Sequence, residues 1–284
     1  MKKPAGGPRR RATPGPPALH GLPAATPEQA PDAQAAEEGG ATQTVRALLQ
    51  LRELILAGLL KPGERIAELA MVERLGMSRT PIRMALVRLQ EEGLLEGLPS
   101  GGFSVRDFSE ADIRDAIELR GTLEGLAARF AAERGVTPAL LVRARDCLDR
   151  IDALLAPSRL SEQAFAGYVQ HNAGFHALMA EMADSPLLAR QIDRASTLPF
   201  ASPNSFVMLQ TTGPRARDRL VVAQSQHRGV LDAIERGEGA RAAALMQEHA
   251  RGAHHNLADA LAGQPPLQRL PGAGLIRRGT AARR

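Results

Sequence analysis

Two arginines one helical turn apart are the residues of this sequence best suited to bind a polyanion. Arg79 and Arg83 stand near the start of the segment SRTPIRMALVRLQ, in which Leu86 and Leu89 mark the opposite, inward face at helical spacing. A guanidinium can form paired hydrogen bonds with a guanine edge or with a phosphate. The spacing therefore predicts a helix that enters a DNA groove; the alternative is an ordinary solvated face of charged residues.

Three histidines and one asparagine form a second candidate site. His176, His227 and His249 lie on three separate predicted helices, and Asn172 precedes His176 by one turn, so that both face the same point. His227 and His249 each lie eleven residues from Glu238, in the turn between the last two helices, which places them level in an antiparallel hairpin. Three imidazoles and an amide oxygen that converge suit zinc, nickel or another borderline transition metal. The alternative is that each histidine is a hydrogen-bonded core or surface residue.

The elements around the two arginines are those of a helix-turn-helix. A preceding helix is predicted from four apolar positions, Ile66, Leu69, Ala70 and Leu75. Gly76 supplies the backbone freedom for a sharp turn into the second helix. Ser78 is placed as the N-cap of that second helix, and Pro81 falls in its first turn, where a missing N–H costs least.

A small β-hairpin, or wing, is predicted directly after the second helix. Gly93 ends the helix, and Leu94 and Leu95 begin an extended segment. Residues 99–102, Pro-Ser-Gly-Gly, make a turn into the second strand, residues 103–105. A winged helix-turn-helix is the expected result.

Six helices are predicted after residue 108. The helical periodicity breaks at residues 135–138, 156–160, 184–186, 198–214 and 237–239. Ser109 with Asp112 resembles a capping box at the start of the first helix, and Thr137 and then Ser161 or Glu162 open the next two. These signals predict an antiparallel all-α bundle.

Composition sets limits on the class of protein. The 284 residues have room for two modest domains, and a net charge of +5 favours a polyanionic partner. The single cysteine, Cys147, excludes an intramolecular disulfide and fits a reducing cytosol. No apolar run approaches membrane-spanning length, so we expect a cytoplasmic protein that does not enter a membrane. No Gly-rich phosphate loop, nucleophile elbow or C-x-x-C motif indicates nucleotide hydrolysis, acyl transfer or thiol redox chemistry.

Four segments are expected along the chain. They are a disordered arm over residues 1–40, a winged helix-turn-helix over 41–108, an all-helical domain over 109–262 and a disordered basic tail over 263–284. Both ends are rich in Pro, Gly and Ala without helical period, so they bury too little apolar surface to offset the entropy of ordering.

The segment LILAGLLKPGERIAELAMVERLGMSRTPIRMALVRLQEEGLLE resembles the N-terminal domain of the GntR family of transcriptional regulators, and the match extends over roughly residues 45–105. The resemblance implies that the two arginines and the wing glycine contact DNA. The predicted DNA-binding residues are Ser78, Arg79, Thr80, Arg83 and Gly102. Leu69 stands where some members carry another basic residue that contacts DNA.

Three later segments, NAGFHAL, SQHRGVLDAIERGE and ALMQEH, resemble the FCD ligand domain of FadR-type regulators. In that family an Asp, a His four residues later and two further His hold a metal in the effector cavity. The resemblance assigns this role to Asn172, His176, His227 and His249. Because Asn172 replaces the commonest Asp, a neutral oxygen replaces a carboxylate and weaker metal binding is expected.

The segment ELRGTLEGLAAR resembles the first helix of the same ligand domain, where the arginine often points into the cavity and receives an effector carboxylate. Arg120 and Glu124 are therefore the predicted effector-binding residues, the alternative being a surface ion pair of little energetic value. A bundle of six helices rather than seven fits the VanR-like subgroup.

The sequence thus predicts a mainly α DNA-binding transcriptional regulator, most often a repressor in such families, that binds a short palindromic operator as a homodimer. A small carboxylate metabolite bound in the metal-containing helical domain would control its affinity for double-stranded DNA. The alternative is a metal-dependent helical hydrolase or lyase, with Glu124 as base and an appended DNA-binding-like module. Since no nucleophile constellation is recognisable, we predict that the protein is not an enzyme.

Overall fold

The first helix, α1, spans Pro31–Leu56. The computed structural model describes residues 31–205, 207, 216–262 and 270–277, so the predictions for arm residues 1–30 and for tail residues 263–269 and 278–284 lie outside the described residues. The predicted disordered arm of residues 1–40 is wrong from residue 31 onward. Pro31 takes the first helical position, which it tolerates, and the Ala, Gln and Glu residues that follow favour a helix despite Gly39 and Gly40.

The helix-turn-helix follows within the compact unit of residues 40–284. Helix α2 spans Glu68–Leu75 and helix α3 spans Arg79–Glu91. Between them Gly76 has a φ of 62°, a left-handed conformation that glycine adopts without steric cost. This is the sharp turn that the sequence predicts, and it changes the direction of the chain between α2 and α3.

A three-stranded antiparallel sheet completes the winged domain. Strand β1 is Arg65–Ile66, β2 is Leu95–Gly97 and β3 is Phe103–Val105, in the order β1-β3-β2. Strands β2 and β3 form the predicted wing. The prediction that Ile66 belongs to the preceding helix is wrong, because this β-branched residue pairs with Phe103 and is buried in the sheet. Leu69, one of the four apolar positions from which the helix is predicted, is exposed on α2.

The six predicted helices of the C-terminal bundle are confirmed in the described residues. They are α4 (Glu110–Arg134), α5 (Pro138–Leu155), α6 (Glu162–Met182), α7 (Pro186–Thr197), α8 (Ala216–Glu235) and α9 (Gly239–Leu261). The capping box of Ser109 and Asp112 is present, and the side chains of Thr137 and Ser161 cap α5 and α6. Among the described residues no helix is both long and apolar enough to cross a membrane.

Helix α4 lies at the centre of the bundle, in contact with α6, α7, α8 and α9. Its closest neighbour is α9, because two glycines allow the backbones to approach. A Cβ on Gly121 would lie 2.5 Å from the Ala250 Cβ, and a Cβ on Gly125 would lie 3.1 Å from the Ala243 carbonyl oxygen. This close packing brings the side chains of α4 beside His249 of α9 and so builds one wall of the histidine site.

The predicted disordered tail of residues 263–284 is wrong for residues 270–277, which form an ordered strap. The strap contains a short 3₁₀ helix, Ala273–Leu275, and its apolar side chains are buried in the same hydrophobic core as those of the winged domain. The Phe108 N–H donates to the Leu275 carbonyl at 2.7 Å, and the Arg277 N–H donates to the Phe108 carbonyl at 2.8 Å. Buried leucine and isoleucine outweigh the loop-forming Pro and Gly of this segment.

Candidate functional site

The predicted DNA-binding residues lie on an exposed surface formed by the N-terminal end of α3 and the tip of the wing. Ser78, Arg79, Thr80, Arg83 and Gly102 are all exposed. Ser78 has the extended backbone of an N-cap, although its side chain makes no capping hydrogen bond, which leaves the hydroxyl available to a ligand.

Two residues next to this surface, Glu68 and Arg65, are not predicted from the sequence. Glu68 on α2 accepts a hydrogen bond from Arg79 Nε at 3.0 Å and lies 3.9 Å from Arg83 Nε. Arg65 donates through Nη2 to the Gly101 carbonyl at 2.9 Å, which places a further guanidinium at the tip of the wing. The three arginines give the surface a positive charge that favours phosphate contacts.

The second candidate site brings together the three predicted histidines inside the bundle. His176 comes from α6, His227 from α8 and His249 from α9, and one nitrogen of each ring lies within 4.8 Å of the others. His227 and His249 approach most closely, with 3.1 Å between their Nε2 atoms. His227 is fully buried and His176 is 5% exposed, so the cluster lies inside the fold.

Each ring is held through its Nδ1 atom by an oxygen acceptor. His176 Nδ1 lies 2.8 Å from Glu124 Oε1, His227 Nδ1 lies 3.3 Å from Gln224 Oε1, and His249 Nδ1 lies 3.2 Å from Gln226 Oε1. An ionised carboxylate and an amide oxygen accept only, so Nδ1 of each ring is the donor in these contacts and Nε2 is left for other partners. These second-layer contacts are typical of metal-ligating histidines.

The orientation of Gln224 is itself fixed. Its Nε2 donates to the Leu148 carbonyl at 2.9 Å and to Asp152 Oδ1 at 2.8 Å, which leaves only Oε1 to face His227. Sequence reasoning missed Gln224 and Gln226, although the run QSQH places both amides next to His227 in the chain.

Two buried polar atoms of the site lack hydrogen-bond partners among the described residues. They are His176 Nε2 and Asn172 Oδ1. The amide nitrogen of Asn172 donates to Asn204 Oδ1 at 2.8 Å, so the carbonyl end of the side chain is the end left free. Buried polar atoms are almost always satisfied, so these two orphaned atoms, together with the Nε2 atoms of His227 and His249, are candidate donors to a metal ion.

The protonation states of His227, His249 and Glu124 also suit metal binding. Burial, followed by the neighbouring His249 and His176, lowers the pKa of His227 well below its usual value. Burial is also the main cause that lowers the pKa of His249 to about 3. Burial raises the pKa of Glu124, but the interactions with His176 and Arg120 outweigh it and bring the pKa down to about 2. The site therefore holds two neutral imidazoles ready to ligate and an ionised carboxylate behind them.

A cavity of about 600 Å³ opens beside the histidines, and its wall includes Arg120, Tyr168, Asn172 and His249. Arg120 is buried, and its Nη1 donates to Glu124 Oε2 at 2.6 Å. Its Nε has no hydrogen-bond partner in the described part of the chain. The guanidinium thus has a spare buried donor at a cavity of the size that small ligands fill.

Glu124, the other residue predicted to bind the effector, does not line this cavity. Glu124 is 1% exposed, lies outside the cavity wall, and uses its two oxygens for His176 and Arg120. Its carboxylate therefore fixes the side chains of His176 and Arg120. Of the remaining histidines, His254 contacts the Arg114 carbonyl and His255 lines the cavity away from the cluster.

Comparison with known proteins accounts for both halves of the chain. Residues 43–105 match the family model of the bacterial regulatory proteins of the gntR family, and residues 115–252 match the FCD domain. An uncharacterized HTH-type transcriptional regulator from the TAR-I ttuE-ttuC' intergenic region of Agrobacterium vitis is 36% identical over 118 residues, which are 41% of this chain and 69% of that protein.

Two further likenesses extend over most of the chain. The HTH-type transcriptional regulator LutR of Bacillus subtilis is 26% identical over 226 residues, which are 74% of this chain and 97% of LutR. The solved structure of E. coli McbR/YncC shares the fold with a TM-score of 0.51 at 22% identity, over 76% of this chain and 98% of that chain. The gntR family model and the two relatives named from Agrobacterium vitis and Bacillus subtilis are those of regulatory proteins, which supports a regulator over the alternative of a helical hydrolase or lyase. The chain therefore belongs to the GntR family of bacterial regulatory proteins, as a DNA-binding transcriptional regulator with an FCD domain.

Proposed function

We propose that this regulator is a repressor whose affinity for its operator is controlled by a small organic acid, bound beside a divalent transition metal in the FCD domain. The observation that carries the proposal is the convergence of one ring nitrogen from each of three histidines within 4.8 Å. Asn172, whose Oδ1 has no hydrogen-bond partner among the described residues, lines the same cavity as His249. The histidine cluster supports the metal-binding part of the proposal.

His176, His227, His249 and Asn172 would hold the ion, which zinc or nickel suits best given three imidazoles and one oxygen. The ion would supply a Lewis-acidic site for an oxygen of a carboxylate ligand. Glu124, Gln224 and Gln226 orient the rings from behind. Because Asn172 brings no negative charge, binding should be weaker than with an aspartate at this position.

Arg120 is the proposed partner of the effector carboxylate. Arg120 lies in the wall of the same cavity as Asn172 and His249, and its buried Nε has no hydrogen-bond partner in the described part of the chain. One acid group in this cavity could therefore meet both the guanidinium and the ion. The other residues of the cavity wall mix apolar and charged side chains, which suits a small polar acid better than a long acyl chain.

DNA binding is proposed to involve a homodimer on a short palindromic operator, with Arg79 and Arg83 of each protomer in the major groove and Gly102 of the wing beside it. Two-fold protein symmetry is mirrored in such a site. An effector can weaken operator binding only if it favours the arrangement of the winged domains that binds DNA less tightly.

The metal site is tested on protein purified without a histidine tag. Metal analysis should find zinc or nickel, and either ion should raise the melting temperature of the stripped wild type. His227→Ala should abolish the rise and Asn172→Asp should enlarge it. His171→Ala is the matched control, since His171 lies on α6 outside the cluster and should leave the rise unchanged. No bound metal and no rise in the wild type, or an unchanged rise in His227→Ala, would refute the site.

The regulatory half is tested by selecting bound fragments from the source genome and then measuring release of the selected operator by small carboxylates. Release should require the metal and should be lost in Arg120→Gln. A panel in which Arg120→Gln responds as the wild type does would remove Arg120 from the effector site.

A further inference from the structure

The loop of residues 198–205, between α7 and α8, touches the proposed metal site at one end. Asn204 is the contact residue: its Oδ1 accepts from Asn172 Nδ2 at 2.8 Å, and its Nδ2 donates to the Val169 carbonyl at 3.0 Å. Because both ends of the Asn204 amide are engaged, its orientation is fixed. Asn204 thereby determines that the carbonyl oxygen of Asn172, and not its nitrogen, is the end of that side chain without a hydrogen-bond partner among the described residues.

The other end of the same loop lies against the DNA-binding domain. A Cβ built on Gly93, the glycine that follows α3, would lie 3.6 Å from Leu198 Cδ2 and 3.8 Å from Pro199 Cδ. The turn that follows the recognition helix therefore rests directly on this loop. A movement of Leu198 or Pro199 changes the support of α3 and of strand β2 together.

Phe200 ties the loop to the connection between the two domains. Its ring meets the Phe108 ring edge-on, with 6.0 Å between centroids, and a Cβ on Gly272 of the strap would lie 3.4 Å from it. Phe200 is 8% exposed and has a φ of 65°, a conformation that a bulky residue keeps only when its surroundings hold it. Phe108 is in turn bonded to the strap on both sides.

We propose that the loop of residues 198–205 carries the state of the three-histidine site to the recognition helix, with Asn204 as the positioning residue on the site side and Phe200 with Pro199 as contacts on the DNA side. This inference rests on the metal site of the proposed function. Ligation through Asn172 Oδ1 restricts the motion of the Asn172 side chain, whose Nδ2 donates to Asn204 Oδ1. The packed loop transmits that restraint to Gly93 and Phe108.

Hydrogen exchange on the full chain tests the relay, with zinc ion as the probe. Direct titration first establishes zinc binding. Zinc should then slow exchange in the loop and also in peptides covering residues 88–97, by on the order of 5-fold or more in the latter. In Phe200→Ala zinc binding and protection near Asn204 should persist, while the protection of residues 88–97 is lost.

Phe165→Ala is the matched control, because it truncates an equally buried phenylalanine in the core of the bundle. It should keep the protection of residues 88–97, which separates loss of the relay from general loosening. On the site side, Asn204→Ala should lose that protection. Asn204→Asp, which keeps the acceptor for Asn172 but loses the donor to the Val169 carbonyl, should restore it in part. These variants test the relay independently should Phe200→Ala fold poorly.

Two outcomes overturn the relay and differ from each other. If zinc binds the wild type but leaves exchange in residues 88–97 unchanged, or if Phe200→Ala and Asn204→Ala both keep the protection, the metal site stands and the relay is wrong. If titration detects no zinc binding, the metal site fails and the relay fails with it.

Discussion

The recognition helix and the histidine site each pair an arginine with a glutamate, but in opposite surroundings. The side chains of Arg79 and Glu68 are 67% and 19% exposed, whereas those of Arg120 and Glu124 are 3% and 1% exposed. An exposed pair has little energy to lose, so Arg79 can exchange its carboxylate for DNA. A buried pair cannot be broken without leaving a charge in a low-dielectric interior. An Arg–Glu ion pair can therefore be exchanged for DNA at the surface, whereas inside the bundle it is a permanent structural contact.

The largest effect should come from breaking the buried pair. Glu124→Ala should lower the free energy of unfolding by about 3 to 5 kcal/mol, because Arg120 is left buried without its counter-charge. Urea unfolding measures the loss. Glu118→Ala is the control on the same helix, since Glu118 pairs with Arg251 on the surface and its removal should matter far less. Similar losses in the two variants would contradict the contrast between buried and exposed pairs.

A smaller effect is expected from the supports of the ligand rings. Gln224→Ala or Gln226→Ala should weaken zinc binding by roughly 10- to 100-fold, because His227 or His249 loses the acceptor that fixes its ring and tautomer. Competitive titration with a chelator measures the affinity. Gln163→Ala, an exposed glutamine on α6, should bind zinc as the wild type does. Unchanged affinity in both Gln224→Ala and Gln226→Ala would show that the rings need no such support.

At the surface, Arg79→Ala and Arg83→Ala should each cost about 1 to 3 kcal/mol in operator binding where the arginine meets a base edge. Their melting temperatures should stay close to that of the wild type, because both side chains are exposed. Gel shifts on the selected operator measure the loss. Arg88→Ala is the control, being exposed in the last turn of the same helix, and it should bind nearly normally. Full affinity in both Arg79→Ala and Arg83→Ala would move recognition elsewhere.

Much of the fold is predictable from local signals. Gly76, Ser109 and Thr137 sit where the backbone requires their specific chemistry, so their positions mark turns and helix starts directly. The level placement of His227 and His249 follows from counting residues in an antiparallel hairpin, and the two rings do face each other. Such features depend on one segment or on one turn.

The missed features depend on distant contacts. Ile66 lies in a two-residue strand, too short to show a period, and is fixed by its pairing with Phe103. The strap is ordered because Leu275 and Ile276 are buried against a core that no neighbouring sequence reveals. Glu124 has the spacing of a surface pair, and only the packing of α4 against α9 and α6 buries it. Sequence spacing thus predicts which face of an element a side chain occupies, but not whether a distant element buries that face.

The smallest effect on stability, and the sharpest test of the surface pair, is expected from Glu68→Gln. Unfolding free energy should change by less than about 1 kcal/mol, because the pairs with Arg79 and Arg83 are exposed. Loss of a negative charge beside the DNA-binding surface should raise affinity for unrelated DNA, since less repulsion opposes the phosphates. Discrimination should fall, because the two guanidiniums lose the carboxylate that holds them side by side. Gel shifts on operator and scrambled DNA at two salt concentrations give both quantities, with Glu73→Gln as the exposed acidic control on α2. If Glu68→Gln keeps the wild-type ratio of affinities for operator and scrambled DNA, Glu68 is only a solvent-exposed residue of the helix surface without a role in discrimination.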